Sequence, residues 1–334
     1  MKLVSFYLGS KETAGILIDT QVVEIGKLGP GWPVTMLELL NQWDNYFARL
    51  QKIVAGIKNG SGKDLPYHKI ADLHLLSPLP RPVSCRDGYA FRQHVETARR
   101  NRGADMIAEY DQFPVFYFTN HCSIQGPGPV VCMPDHFNQL DFELEAAIVI
   151  GKQGRNISAS QAGDYIAGLT IMNDMSARGL QMNEMKLNLG PAKGKDFSTV
   201  IGPALVTPDE LTSFETACQK GHTGTAWNLQ MTAHINGILV SSGNLKDMQW
   251  TFAEIIERAS YGVTLYPGEI IGSGTVGTGC FLELNGTAKL ADPSHPDQWL
   301  KENDRIDLAI EQLGVLSNTI VKDPLPYSLP NRNL

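Results

Sequence analysis

Between Asp141 and Gly151 the chain passes from alternating to continuous hydrophobicity. Ala146 to Ile150 is an unbroken apolar run that stops at a glycine, which predicts a strand buried on both faces. Just before it, Asp141, Glu143 and Glu145 alternate with Phe142 and Leu144. On a strand the three carboxylates share one face and the two apolar side chains the other. A second run, Ile166 to Met172, predicts another buried strand and ends in the polar cluster Asn173-Asp-Met-Ser-Ala-Arg-Gly-Leu-Gln181.

Nearer the N-terminus, Ala14–Ile18 and Gln21–Ile25 flank Asp19-Thr20 and predict short strands. Leu37, Leu40, Trp43, Phe47, Leu50, Val54 and Ile57 recur at spacings of three and four, predicting one long amphipathic helix that ends at Asn59-Gly-Ser-Gly62. Ser77-Pro-Leu-Pro-Arg-Pro82 is a stiff extended connector. It divides the chain into a small N-terminal domain, 1–78, and a larger one, 79–334. Beyond it Asp87-Gly88 marks a turn, with a helix from Tyr89 onward. Loops and short strands follow over 103–140.

Ser158-x-x-Gln161 has the pattern of a capping box opening a short helix. His234-Ile-Asn-Gly-Ile238 predicts a two-residue hairpin, and Thr251 to Tyr261 a helix. Pro267-Gly268 turns into a strand over Glu269–Gly272. Gly272-Ser-Gly-Thr-Val-Gly-Thr-Gly279 leads into a strand-like run, Phe281 to Gly286, with Glu283 pointing inward. The Gly-x-Gly-x-x-Gly match lacks the helix that a dinucleotide site needs, so the glycines are read as allowing backbone N–H groups close to a ligand. Gly190-Pro-Ala-Lys-Gly-Lys-Asp-Phe-Ser-Thr199 fails as a phosphate loop in spacing and in Asp196; Lys195 reads as a fixed cation on a tight turn. From Pro324 an extended tail is expected.

Composition narrows the class. At 334 residues, 43% hydrophobic, with 32 glycines and 19 prolines, the chain is globular and strand-rich. A net charge of −7 argues against nucleic-acid and anionic-membrane partners. Five dispersed cysteines without a Cys-x-x-Cys pair form neither a disulfide framework nor a zinc ribbon. No apolar run reaches the roughly 20 residues of a membrane span, and the opening run Leu3–Leu8 is too short for a signal peptide. A soluble, cytoplasmic protein is the expectation.

The candidate chemistry is acidic. Asp87, Glu143, Glu145 and Asp174 offer oxygen donors, His94 and Glu283 an acid–base pair, and Lys195, Arg178 and Gln181 hydrogen-bond donors. An all-carboxylate set suits a hard cation, Mg2+ or Ca2+. Each has a plainer reading: an acidic strand edge facing water, a helix-capping Asp87, a surface His94.

The motifs Asp87-x-Tyr89, Arg92-Gln-His94, Phe142-Glu-Leu-Glu145, Asn173-Asp-x-Ser-Ala-Arg178, Gln181, Gly194-Lys195 and Ser273-Gly-Thr275 with Leu282-Glu283-Leu284, in this order over residues 80–290, resemble the fumarylacetoacetate hydrolase family. The resemblance implies an α+β, β-rich fold: a mixed-sheet β-roll of the fumarylacetoacetase C-terminal type behind a small N-terminal β/α domain, in a homodimer. It implies Asp87, Glu143, Glu145 and Asp174 as metal ligands, with Lys195 and Thr199 completing a second Mg2+-type position. It implies His94 as general base oriented by Glu283, and Tyr89, Tyr117, Gln181, Arg178 and Thr275 near the substrate. Lys195 and Gln181 would bind the charge that develops on carbon–carbon cleavage.

Thr97 stands three residues after His94, where shorter members carry the glutamate of a His-x-x-Glu pair. The fumarylacetoacetase-like kind is therefore the first expectation: hydrolysis of a 1,3-diketo acid to fumarate and acetoacetate, in aromatic amino-acid (tyrosine, homogentisate) catabolism. The alternatives are an acylpyruvase, an oxaloacetate decarboxylase or a 2-oxo-acid isomerase or hydratase of the same family, and a non-catalytic metal-binding protein. Met185 stands where a substrate tyrosine is expected, and Arg99, Arg100 and Arg102 compete for the substrate carboxylate.

Overall fold

The computed structural model describes residues 1–330. Before the proline-rich connector come β1 (Lys2–Leu8), β2 (Lys11–Ile18), β3 (Gln21–Glu24), α1 (Met36–Leu40), α2 (Trp43–Lys58) and β4 (Tyr67–Lys69). After it come β5 (Ser84–Gly88), α3 (Arg92–Arg100), β6 (Phe116–Thr119), β7 (Gly128–Cys132), β8 (Leu144–Ile150), β9 (Ile166–Asp174) and α4 (Arg178–Met185). The chain continues through β10 (Thr199–Val206), β11 (Gln230–Ile235), β12 (Ile238–Asn244), α5 (Phe252–Ser260), β13 (Glu269–Gly272), α6 (Phe281–Ala291), β14 (Arg305–Ile310) and β15 (Gly314–Lys322).

One large sheet runs β4-β3-β2-β1-β10-β9-β8-β13-β5-β6, and a five-stranded sheet runs β12-β11-β14-β15-β7. The fold is α+β and rich in sheet, as the sequence predicts. Strand β8 lies near the middle of the large sheet, and its parity decides what it touches. Ala146, Ile148 and Ile150 pack with Met231, Ile306, Leu308 and Leu316 of the second sheet. Ala147 and Val149 face the other way, onto Leu3, Ile16, Trp43, Leu50 and Ile270. All of β8 is therefore buried, and its apolar run has no solvated face to mark with polar residues.

The strands before residue 78 are edge-joined to this sheet. β1 pairs antiparallel with β10, and the helices α1 and α2 cover the face of β8 that the second sheet leaves bare. The predicted single long helix is two. It breaks at Asn41-Gln42, and α1 begins with a capping box in which Thr35 and Glu38 bond each other's backbone N–H. The hairpin is as predicted, with Asn236 and Gly237 both at positive φ. Ser158 and Gln161 do share a side-chain bond of 3.1 Å, but only a 3-10 turn, Ala162–Tyr165, follows. Of the expected tail, residues 331–334 lie outside the described part.

The main correction concerns Phe281 to Gly286. This segment is the first half of α6, so Glu283 sits in a helix's opening turn and not on a strand. The run Phe281-Leu-Glu-Leu looks strand-like because two of its positions, Phe281 and Glu283, are buried two apart. That spacing misleads when the buried partner is a polar site.

Candidate active site

In the large sheet β9, β8, β13 and β5 are consecutive neighbours, and their ends converge. Asp174 is the last residue of β9, Glu145 the second of β8, and Glu143 immediately precedes β8. Asp87 lies on β5 opposite Gly272 of β13, the only parallel pairing among these four strands. One carboxylate oxygen from each of Asp87, Glu143, Glu145 and Asp174 lies within 4.8 Å of the other three, and all four residues are buried. Gly272 and Gly274 allow the approach. A Cβ on Gly272 would sit 2.4 Å from Asp87 Oδ1, and Gly274 (φ +78°) donates its N–H to that oxygen at 3.0 Å. The expected role of the glycine run is thus met by a side chain of the protein itself.

Four buried charges at this separation repel by roughly 3–4 kcal/mol per pair even at an effective dielectric of 20. Two cations offset part of it. Lys195 donates to Asp174 at 2.7 Å and to Glu143; Arg178 donates to Glu143 Oε1 at 2.7 Å. They do not balance the set. Burial, then the Asp174 charge, pushes the Asp87 carboxyl up to about 7. Glu145 is pushed well above the usual range by burial and by Asp87, and Asp174 is raised by burial despite Lys195. Only Glu143 goes down: burial would raise it, but Lys195 and Arg178 together hold it at about 2.

Two buried oxygens, Glu145 Oε2 and Asp174 Oδ1, have no hydrogen-bond partner among the described residues. Unsatisfied buried carboxylate oxygens are costly. Excess negative charge, an all-oxygen donor set and orphaned lone pairs together fit a divalent cation.

Beside the cluster, His94 Nδ1 lies 2.6 Å from Glu283 Oε2. The imidazole comes from α3, the carboxylate from α6, and Tyr89 packs edge-on to the imidazole at 5.8 Å between centroids. With Nδ1 engaged, Nε2 is left for a bound molecule. His94, Glu283, Lys195, Asp87 and Glu143 all line one cavity of about 810 Å3, whose outer wall carries Phe113, Val115, Met182, Met185 and Trp299.

The other expected residues are present but mostly engaged. Tyr117 gives its hydroxyl to Asp174, and Thr275 gives its own to Glu145 at 3.2 Å. Arg178 is bound to Asp141, Glu143 and the Gln181 side-chain oxygen. Tyr89, Tyr117, Gln181, Arg178 and Thr275 all line the cavity. Two further residues were expected at a second cation position, and the structure shows what their side chains bond. Lys195 is an ammonium: burial would lower its pKa, but Asp174 and Glu143 hold it above the ordinary lysine value. Its side chain serves as counter-charge to these two acids. Thr199 pairs across the sheet with Asp174, yet its hydroxyl meets Thr119 at 3.3 Å and does not line the cavity.

Two supporting carboxylates went unassigned by sequence reasoning. Asp141 shares the strand alternation of Glu143 but accepts Phe281 N–H at 2.8 Å, Leu282 N–H at 3.0 Å and Arg178 Nε at 2.9 Å. It therefore occupies the N-terminus of α6, the place a dinucleotide phosphate would need. Glu184 accepts from three consecutive backbone N–H groups, Ala192, Lys193 and Gly194, at 2.8–3.1 Å. The turn that looked like a phosphate loop does bind an anion, supplied by its own chain.

The fumarylacetoacetate (FAA) hydrolase C-terminal family profile matches residues 84–321. Among curated proteins, the chain is 30% identical over 303 residues to oxaloacetate tautomerase FAHD2B, mitochondrial, of Bos taurus, covering 90% of this chain and 84% of that protein. It is 28% identical over 334 residues to oxaloacetate tautomerase YisK of Bacillus subtilis (strain 168), covering 96% and 100%. Among solved structures, fumarylacetoacetate hydrolase from Exiguobacterium antarcticum superposes with a TM-score of 0.69 at 24% identity, over 97% of this chain and 100% of that one. Maleylpyruvate hydrolase from Sphingobium sp. SYK-6, in complex with manganese(II) and pyruvate, superposes at 0.68 with 22% identity, over 96% and 99%.

Proposed function

The chain belongs to the fumarylacetoacetate hydrolase family, and from that premise we propose that it interconverts the keto and enol forms of a 2-oxo acid, with oxaloacetate as the simplest substrate. The observation that carries this reading is the His94–Glu283 pair, set in the wall of the same cavity that Asp87 and Glu143 of the four-carboxylate cluster line. The names of the relatives support it: the Bos taurus and Bacillus subtilis proteins, at 30% and 28% identity over 90% and 96% of the chain, are oxaloacetate tautomerases. The first sequence expectation, carbon–carbon hydrolysis, thus gives way to its stated alternative, the 2-oxo-acid isomerase.

Tautomerisation needs one group to move a proton between C3 and the 2-oxygen, and charge to be stabilised on that oxygen in between. His94 takes the C3 proton on Nε2, while Glu283 holds the ring in one tautomer and faces the positive charge that the ring acquires. The same proton then goes to the substrate oxygen, so the cycle closes without another base. Lys195, fixed by Asp174 and Glu143, places a permanent positive charge where the oxyanion develops. Gln181, Tyr89 and Thr275, on the cavity wall, orient the substrate. A divalent ion held by Asp87, Glu143, Glu145 and Asp174, Mg2+ or Ca2+ by donor hardness and Mn2+ by the example of the Sphingobium relative, would polarise a 2-oxo carboxylate when bound.

A second reading, hydrolysis of a 1,3-diketo acid such as fumarylacetoacetate, is favoured by one observation. The partner of His94 is Glu283 and the residue at the His-x-x-Glu position is Thr97, an arrangement suited to deprotonating water. One pair of assays separates them. Decay of the enol absorbance of oxaloacetate faster than the buffer rate supports the tautomerase; loss of the diketone chromophore without it supports the hydrolase. Neither signal, with Mg2+ or Mn2+ present, rejects both.

A further inference from the structure

Cys280 is the fully buried residue immediately before α6, and its side chain makes no capping hydrogen bond. The proposed chemistry gives it no task. Its sulfur nevertheless lies within 4.8 Å of a ligand atom of both His94 and Glu283, which are themselves within the same distance of each other. This second cluster differs in kind from the carboxylate one, offering a thiol, an imidazole and a single carboxylate.

We infer that His94, Cys280 and Glu283 form a binding site for a borderline or soft divalent cation of the Zn2+ class, and that filling it switches the enzyme off. Sulfur, nitrogen and oxygen donors in one place are the donor set of zinc and cadmium, whereas Mg2+ and Ca2+ have little use for a thiolate. Zinc bonds of about 2.0–2.3 Å put tetrahedral ligand atoms roughly 3.3–3.8 Å apart. The histidine–glutamate contact, now 2.6 Å, opens to that separation, and the sulfur moves inward by about an ångström.

Cavity access comes through His94 and Glu283, which line it, and a water completes the fourth position. Binding releases the thiol proton to solvent, leaving a thiolate and a carboxylate opposite the divalent charge. The cation occupies the His94–Glu283 contact itself and takes the Nδ1 lone pair, so the one ring proton sits on Nε2 and that nitrogen can no longer accept the proton of a substrate. That last step rests on the role assigned to His94 above; the binding does not.

The test uses the full chain in saturating Mg2+. Titration with Cd2+ is expected to raise the sulfur-to-cadmium charge-transfer absorption in the ultraviolet in wild type and in Cys122→Ser, and to raise none in Cys280→Ser. Serine at a helix N-cap is favourable, so α6 keeps its start. Zn2+ should inhibit wild type, with the inhibiting concentration at least ~10-fold higher in Cys280→Ser and chelation restoring turnover. X-ray absorption of the Zn2+-loaded wild type gives a reading free of any variant, with one sulfur in the coordination shell expected. No sulfur in that shell, or a cadmium band unchanged in Cys280→Ser, overturns the site. A cadmium band with no loss of turnover keeps the site and overturns the switch. If the chain turns over neither candidate substrate, the cadmium and X-ray results still decide the site.

Discussion

His94 and Glu283, separated by 189 positions in the chain, meet with Nδ1 and Oε2 2.6 Å apart. Neither helix reaches this contact by itself. Asp141 receives the first N–H groups of α6 and the guanidinium of Arg178, and Asn101 at the end of α3 donates to the Glu283 carbonyl at 3.0 Å.

Replacing His94 with Ala should lower kcat by about 10²–10⁴-fold while leaving cation binding intact, because no carboxylate of the cluster bonds to the ring. Glu283→Gln should give a smaller loss of kcat with KM little changed. Steady-state kinetics with Mn2+ titrations monitored by electron paramagnetic resonance check both. Near-normal kcat in His94→Ala would remove the histidine from the mechanism.

Asp87→Asn or Glu145→Gln should weaken divalent-cation binding by about 10–100-fold. The same changes should stabilise the cation-free protein at neutral pH, since each removes a carboxyl whose burial must otherwise be offset by proton uptake or borne as repelled charge. Calorimetric melts with and without chelator show the two effects with opposite signs. A variant destabilised in both conditions would mean that the carboxylates serve packing alone.

The cation-free protein should lose stability as pH rises. Folded carboxyls raised above their unfolded values, Asp87 to about 7 and Glu145 and Asp174 in the same direction, favour the native state fully below the unfolded pKa of 3.8–4.5 and lose that contribution as pH climbs through the folded values. Melting temperature in chelator should therefore fall by several degrees between about pH 5 and pH 8, and added Mg2+ should restore more at the upper end. A flat profile would contradict the electrostatic account.

Asp141→Asn should cost about 3–5 kcal/mol, because Arg178 loses its buried charge partner and α6 its anionic N-terminus. Denaturant melts measure it. Glu184→Ala should be milder for stability but should raise KM, since the turn bearing Lys195 loses its three-amide anchor; unchanged KM would free the turn of that dependence.

Much of the architecture was legible because apolar runs and turn chemistry report burial directly. The Ala146–Ile150 strand, the Asn236-Gly237 turn and the helix after Thr251 read directly from the sequence. Glu143 and Glu145 stood out by strand alternation, Asp174 by its place just past an apolar strand and Asp87 beside a turn, but they were brought together only by the family resemblance, because their convergence depends on sheet order, which no local pattern encodes. The parallel β13–β5 pairing that sets Asp87 beside Glu145 is such a case. Glu283 was placed on the wrong element because α6 buries a carboxylate against His94, so its polar and apolar positions do not trace an amphipathic helix. Glu184 and Asp141 were missed for a shared reason: carboxylates that bind backbone amides leave no compositional mark.

Arg178 grips Asp141 and Glu143 at once, and Asp141 grips the opening turn of α6. The proton carrier's partner and the acidic nest are thereby bolted to a common mount, and neither can drift without dragging the other. The cavity wall is lined in addition by Met182, Met185 and Trp299, which take no part in that mount's ion pairs.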